Sequence, residues 1–420
     1  MTIPKILHCA DIHLDSPMRG LARYEGAPVG QLRGATRQAF ERLVRLAIDE
    51  DVSVVVIAGD LYDGDRDDYH TAMFLQRQLR VLAEAGIPVA VAYGNHDAAN
   101  EITKRLALPA NTHAFPSDSA ASHVLEDRGL ALHGRSYPTR AVTEDISAAY
   151  PRVVPGLLNV GVLHTSIDGR PGHDPYAPCS LEGLANHGYQ YWALGHVHKR
   201  ESYHKDGVHV VFPGNLQGRD VGEAGSKGAT LVEYDESGVR SVAHRDLHSV
   251  RWDRVEVDAS GIGDPDAAVE AVAARLGVLQ ADFEADLHAV RVVLVAGPDL
   301  SRSWLRDTER FEAQMRADCT AGSDRLWLER IELRPAPTSN REVPDEAVAA
   351  VSEALASIRV NPDRQERAEI VELVEGVRSR FGTDAAQLVC LGGEILDKEN
   401  LDRLLDEVES LLIAELTGGA

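Results

Sequence analysis

Over residues 1–247, short apolar runs alternate with longer stretches whose apolar positions recur every three or four residues. "KILHCAD" and "VSVVVIAGD" read as strands, the second apolar on both faces. "QAFERLVRLAIDED" and "TAMFLQRQLRVLAEAG" read as amphipathic helices, and "PVAVAYGNHD" as a further strand. A strand apolar on both faces belongs to a covered sheet, so the alternation predicts an α/β architecture. "LLNVGVLH", "YQYWALGHVH", "VHVVFPG" and "ATLVEYDESG" follow as strands joined by turns, which adds a second, more antiparallel sheet.

From Val250 the texture changes. "RWDRVEVD" alternates, "DAAVEAVAARLG" is helical, "HAVRVVLVAG" is a strand, "WLRDTERFEAQMRA" is helical and "LWLERIELR" is again a strand. This predicts a small β-α-β-α-β domain over 248–334. "PAPTSNREVP" then breaks the pattern, and 335–420 reads as a linker with C-terminal helices. Val348, Val351, Leu355 and Ile358 share one helical face, as do Leu401, Leu404, Leu405, Val408, Leu411 and Leu412. Such faces pack on their own protein or bind a partner, and the pattern leaves both open.

Charge and cysteines narrow the class. A net charge of −23 argues against coating nucleic acid by bulk electrostatics, but not against a local cationic site built from metal ions. Cys9, Cys179, Cys319 and Cys390 show no CxxC spacing, so neither a disulfide framework nor a structural zinc site is indicated. No apolar run reaches the ~18 residues of a membrane span, and "MTIPKILHCADIHL" lacks signal-peptide features. The expectation is a cytoplasmic protein with no membrane partner.

The chemistry collects at strand ends. Asp11 and His13 follow the first strand, Asp60 the second, and Asn95, His96 and Asp97 the third; His164 follows "NVGVL", and His196 and His198 follow "YWAL". Open α/β sheets place their sites at the carboxyl ends of strands. Asp-x-His and His-x-His each put two side chains on one side of an extended segment. A lone His there is more often structural; five such strand ends together are a joint signal. Carboxylate, amide and imidazole donors without thiolate suit Mn²⁺, Fe²⁺ or Zn²⁺. Seven ligands suit two ions sharing a carboxylate, a pair ~3.5–4 Å apart that clamps a phosphoryl group.

These motifs, in this order, resemble the calcineurin-like metallophosphoesterase pattern. "CADIHLDSP", "AGDLYD" and "PGNLQGR" are most similar to the SbcD/YhaO type of DNA-repair exonuclease. The resemblance covers roughly residues 5–220 and implies a four-layer αββα sandwich, a small α/β capping domain and C-terminal helices. It implies that Asp11, His13 and His198 hold one metal, that Asp60 bridges, and that Asn95, His164 and His196 hold the second, with Mn²⁺ as the ion. His96 would stabilise the transition state or protonate the leaving oxygen, oriented by Asp97, while a water activated by both metals attacks. The implied activity is exonuclease, with endonuclease activity beside it, in double-strand-break repair. The implied partners are DNA, an SMC-like ATPase of the SbcC/YhaN type bound through the C-terminal helices, and a second copy bound through helices near 68–84. The implied location is the nucleoid.

Some relatives carry a His shortly after the bridging Asp; here that stretch ends at Asp63, so no such role is assigned. Arg135, Tyr137, Asn215, Gln217 and Arg219 lie on expected loops and are candidates for substrate contact; turn structure explains them nearly as well. His8, inside the first strand, reads as a core residue. The same ligands would serve a small-molecule phosphodiesterase or a phosphoprotein phosphatase, and a catalytically vestigial scaffold for the ATPase is a third reading.

Overall fold

The computed structural model describes residues 3–16, 26–63, 69–98, 108–167, 176–280, 285–320 and 323–336. In chain order the strands are β1 (Lys5–Cys9), β2 (Val54–Ala58), β3 (Val89–Ala92), β4 (Thr112–Ala114), β5 (Ala121–Leu125), β6 (Leu130–Gly134), β7 (Leu158–His164) and β8 (Tyr191–Gly195). They continue with β9 (Glu201–Lys205), β10 (Val208–Phe212), β11 (Gly228–Asp235), β12 (Gly238–Asp246), β13 (Val250–Ala259), β14 (Leu287–Ala296) and β15 (Leu326–Pro335). The helices are α1 (Val29–Asp49), α2 (Tyr69–Glu84), α3 (Asn95–Ala98), α4 (Leu181–Asn186), α5 (Pro265–Gln280), α6 (Pro298–Arg306) and α7 (Thr308–Thr320).

Two six-stranded mixed sheets, ordered β12-β11-β1-β2-β3-β4 and β5-β6-β7-β8-β10-β9, stack face to face. Alternation along the strands decides what each face buries. Leu7, Cys9, Val55, Ile57, Val89 and Val91 meet Phe40, Leu43, Phe74 and Leu79 of α1 and α2. The intervening Ile6, Val54, Val56, Ala58, Ala90 and Ala92 meet Leu132, Val160, Val162, Tyr191 and Ala193 of the second sheet. The outer face of that sheet buries Leu163, Trp192 and Leu194 with Leu184 of α4. The layers are therefore α, β, β, α, and the all-apolar β2 is explained by burial on both sides. β1–β4 run parallel, as do β6, β7, β8 and β10, so each sheet gathers its carboxyl ends along one edge.

A three-stranded sheet, β13-β14-β15, follows. Leu32 and Ala35 of α1 pack with Val250, Trp252, Leu287, Ala289 and Trp327 of its strands. The single helix expected at "WLRDTERFEAQMRA" is two helices. Asp307 leaves helical geometry at φ −148° and ψ 52°, and Thr308 Oγ1 donates to Trp304 O. The described residues fall into two compact units: those up to Val257, within Val269–Val292 and within Glu309–Ile331 form the first; Asp258–Ala268, Val293–Thr308 and 332–336 form the second. Every strand-end donor lies in the first. The apolar faces read in 348–358 and 401–412 lie outside the described residues. No described helix is long and apolar enough to cross a membrane.

His8 is indeed a core residue. It is fully buried between the two sheets, with Nδ1 2.9 Å from the Tyr191 hydroxyl. Burial drives its pKa down to about 3, so the folded state holds it neutral. The unfolded chain binds the proton first, near pH 6.5, so this contribution is complete above that pH and is lost as pH falls towards 3. In urea unfolding between pH 6.5 and 5, His8→Gln is expected to flatten the pH dependence by about one proton, ~1.4 kcal/mol per pH unit.

Candidate metal centre

The first sheet delivers Asp11 and His13 past β1, Asp60 past β2, and Asn95, His96 and Asp97 on α3 after β3. The second delivers His164 at the end of β7 and His196 and His198 past β8. Four of these positions turn sharply: φ is 49° at Asp11, 46° at His13, 52° at Asp60 and 98° at His196. Non-glycine residues seldom adopt that region, and when they do the surroundings must hold them there. Here the β1 end is locked to the β2 end. Asp11 N donates to Gly59 O (3.0 Å), while Ile12 N and His13 N donate to Asp60 O (2.8 and 3.0 Å). Two glycines permit the crowding. A Cβ on Gly59 would stand 2.3 Å from His164 Nδ1, and one on Gly195 would stand 1.9 Å from Ala58 O.

Three groups of donor atoms result, each with its atoms within 4.8 Å of one another: Asp11, His13 and His198; Asp11, Asp60 and His164; and His13, Asp60 and His96. Asp11 and Asp60 are almost wholly buried. Burial lifts the Asp11 carboxyl above its ordinary range. Burial would lift Asp60 too, but the surrounding imidazoles, His164 foremost, hold it below that range. His13 is pushed well down, first by burial and then by the charge of Arg219.

Lone pairs test whether cations fit. His198 Nδ1 lies 2.7 Å from Glu223 Oε1 and 3.1 Å from Arg219 Nη2; the carboxylate can only accept, so Nδ1 donates to it and Nε2 is the atom turned towards the other donors. That Nε2 lies 3.1 Å from His13 Nε2. Two nitrogens each ~2 Å from one ion stand about this far apart. His164 repeats the theme: Nδ1 is 3.0 Å from Ala58 O, and Nε2 is 2.9 Å from Asn95 Oδ1 and 3.4 Å from Asp60 Oδ2. Acceptors face one another there until a positive charge joins them. Burial opposes a proton on His164, but Asp60 raises its pKa to about 9; a divalent cation satisfies the same atoms. The donors fit cations, and Asp60, like Asp11 and His13, belongs to two of the three groups. His196 sits further out: its N donates to Asp11 Oδ1 (3.0 Å), and its ring lies 5.2 Å from that of His164.

Several expected roles change. Asp97 does not orient His96. Its carboxylate accepts from Leu61 N (2.9 Å), Tyr62 N (3.2 Å) and Gly94 N (2.9 Å), bracing the turns that carry Asp60 and Asn95. Burial and the Asp60 charge push it up to about 7. The carboxylate at His96 is Asp63, with Oδ1 3.2 Å from Nδ1, and it raises the His96 pKa. The candidates for substrate contact differ in exposure. Asn215 and Tyr137 are buried, the Tyr137 ring lying edge-on 5.5 Å from His164. Gln217 is buried as well. Arg219 is committed to Glu223, its Nη2 2.7 Å from Oε1. Arg135 Nε donates to Ser117 O at 3.1 Å.

Residues 4–200 match the calcineurin-like phosphoesterases, and residues 252–336 match the middle domain of the metallophosphoesterase YhaO. Residues 4–200 thus carry a calcineurin-like metallophosphoesterase domain. That family uses a two-metal site, and the three donor groups above all fall within 4–200. Among curated relatives, the uncharacterized metallophosphoesterase YhaO of Bacillus subtilis is 34% identical over 257 residues, 60% of this chain and 63% of that protein. The DNA double-strand break repair protein Mre11 of Haloferax volcanii is 26% identical over 279 residues, 65% of this chain and 58% of that protein. The Mre11 of Sulfurisphaera tokodaii is 24% identical over 245 residues, 56% of this chain and 60% of that protein. The chain spans about three fifths of these relatives.

The two aspartates near His96 should separate in mutants. Asp63→Asn is expected to lower kcat about tenfold or more with little change in melting temperature. Asp97→Ala strands three backbone amides and should cost about 3 kcal/mol. Thermal melts and phosphodiester hydrolysis on both variants check the division; a melting loss confined to Asp63→Asn contradicts it.

Proposed function

We propose that this phosphoesterase is a nuclease that hydrolyses DNA phosphodiester bonds, as an exonuclease with endonuclease activity, in double-strand-break repair. The observation that carries the reading is the pairing of this metal centre with the YhaO-type middle segment over 252–336, in a chain aligned with Mre11 proteins over more than half its length. In this reading Asp11, His13 and His198 hold one ion, Asp60 bridges, and Asn95, His164 and His196 serve the other, with Mn²⁺ as the metal. Bound there, the ions supply Lewis acidity and a nucleophile drawn from water near neutral pH.

The protein's own groups do the rest. His96, about a quarter exposed and backed by Asp63, holds a proton at the mouth of the donor cluster, where a leaving oxygen needs one. Asp97 keeps the Asp60 and Asn95 turns in place. Segment 248–334 acts as the capping domain and presents DNA, and 335–420 binds an SMC-like ATPase of the SbcC/YhaN type. That partner supplies basic surface to complement a chain of net charge −23. Tyr69 and Met73, exposed on α2, support a homodimer through that helix. The workplace is the cytoplasmic nucleoid.

The test is end-labelled double-stranded DNA incubated with the purified chain and Mn²⁺, beside His96→Ala. Wild type should cleave, and His96→Ala should lose about 10²–10⁴-fold in rate. Hydrolysis of a small phosphodiester with no DNA cleavage, even with the ATPase added, would turn the assignment to a small-molecule phosphodiesterase or a phosphoprotein phosphatase.

A further inference from the structure

The loop between β10 and β11 starts with buried polar residues, Asn215 and Gln217, and carries a dense set of hydrogen bonds. Its commitments run in one direction. His198 is held at both ends by this loop: its carbonyl accepts from Asn215 N (3.2 Å) and Lys227 Nζ (2.8 Å), and its ring Nδ1 donates to Glu223 Oε1 (2.7 Å). Glu223 is held in turn. Asn215 Nδ2 and Arg219 N each donate to Oε2 at 2.8 Å, and Arg219 Nη2 donates to Oε1 at 2.7 Å. The fully buried Asn215 passes the link on, because its Nδ2 also donates to Gln217 O (2.8 Å).

Gln217, 1% exposed, closes the chain on the first residues of β13. Its Oε1 accepts from Ser249 N (2.8 Å) and Val250 N (3.1 Å), and its Nε2 donates to Val250 O (2.6 Å). Two more bonds run beside it: Trp252 Nε1 donates to Gly218 O (3.0 Å) and Gly225 N donates to Trp252 O (2.7 Å). A buried amide using both ends on one backbone stretch fixes register, and a carboxylate on the far nitrogen of a ligating imidazole fixes ring and tautomer.

We propose that Glu223 is the positioning carboxylate of His198, and that Gln217 makes the placement of this ligand depend on the start of β13. The proposal rests on the metal-centre reading and deepens it. The loop is a brace for one ligand, and the strand that opens the third sheet is its anchor.

The full-length chain, stripped of metal, is titrated with Mn²⁺ and the free ion is followed by electron paramagnetic resonance. Wild type, Glu223→Gln, Gln217→Leu, Gln217→Glu and His198→Ala are compared. Glu223→Gln keeps the shape of the side chain and loses its charge; Gln217→Glu keeps the acceptor for the Ser249 and Val250 amides should Gln217→Leu not fold. His198→Ala identifies the binding step that belongs to this ligand. Glu223→Gln is expected to weaken that step about 10–100-fold while the other changes little, and the Gln217 variants to weaken the same step by less. A lower melting temperature of the metal-free protein with wild-type affinity, in either position, overturns the proposal in favour of a purely structural loop. Wild-type titration of His198→Ala itself overturns the metal-centre reading, and the proposal with it.

Discussion

Two carboxylates lie buried side by side where β1 and β2 end, and nearly everything else about the site answers to that. Asp11 and Asp60 are 0% and 2% exposed, and each raises the cost of ionising the other. A buried like-charged pair persists only among compensating groups. Imidazoles from both sheets supply part of the compensation, and the donors left facing one another, such as the two Nε2 atoms of His13 and His198, mark where cations complete it. The sandwich is what makes the arrangement affordable: parallel strands in two stacked sheets bring their carboxyl ends to one edge, so donors 185 residues apart in sequence meet within 3.1 Å.

The backbone bears the strain of this convergence. Asp11, His13, Asp60 and His196 all sit at positive φ, a conformation that exposed loops would relax out of. The bends are hydrogen-bonded to one another: Asp11 N to Gly59 O, His13 N to Asp60 O and His196 N to the Asp11 carboxylate. Gly195 shows the same pressure in another form, since the second sheet approaches the first so closely there that only a hydrogen fits against Ala58 O. Stability and site geometry are thus one problem in this fold.

What could be read from the sequence follows from this. Strands that end in donors are legible because burial on both faces forces an apolar run and the polar switch is abrupt, as at Ala58-Gly59-Asp60. Helices α1 and α2 are legible through their one apolar face. The short edge strands β4, β5 and β9 are not, because each has only three to five residues and no buried stripe. Partner relations are the least legible. Asp63 lies in a turn whose spacing to His96 carries no pattern, and Glu223 follows His198 by 25 residues across two strands. Asn215, Gln217 and Arg219 were legible as important but not through their partners: polar residues in a glycine-rich loop look like substrate contacts, and the burial of Asn215 and Gln217 and the Arg219–Glu223 pairing appear only in the fold.

Arg219 ties these partner relations together. Its guanidinium forks onto Glu223 and also lies 3.7 Å from Asp63 Oδ2, so one cation stands between the carboxylate behind His198 and the carboxylate behind His96. Burial would lift the Glu223 carboxyl, but His198 and Arg219 hold it far below the usual range, and Arg219 and Glu223 hold each other ionised. A lysine could offer the charge but not a planar fork that meets two carboxylates at fixed angles. The imidazoles of His198 and His96 are thus backed by separate carboxylates, Glu223 and Asp63, and a single guanidinium stands near both of those carboxylates.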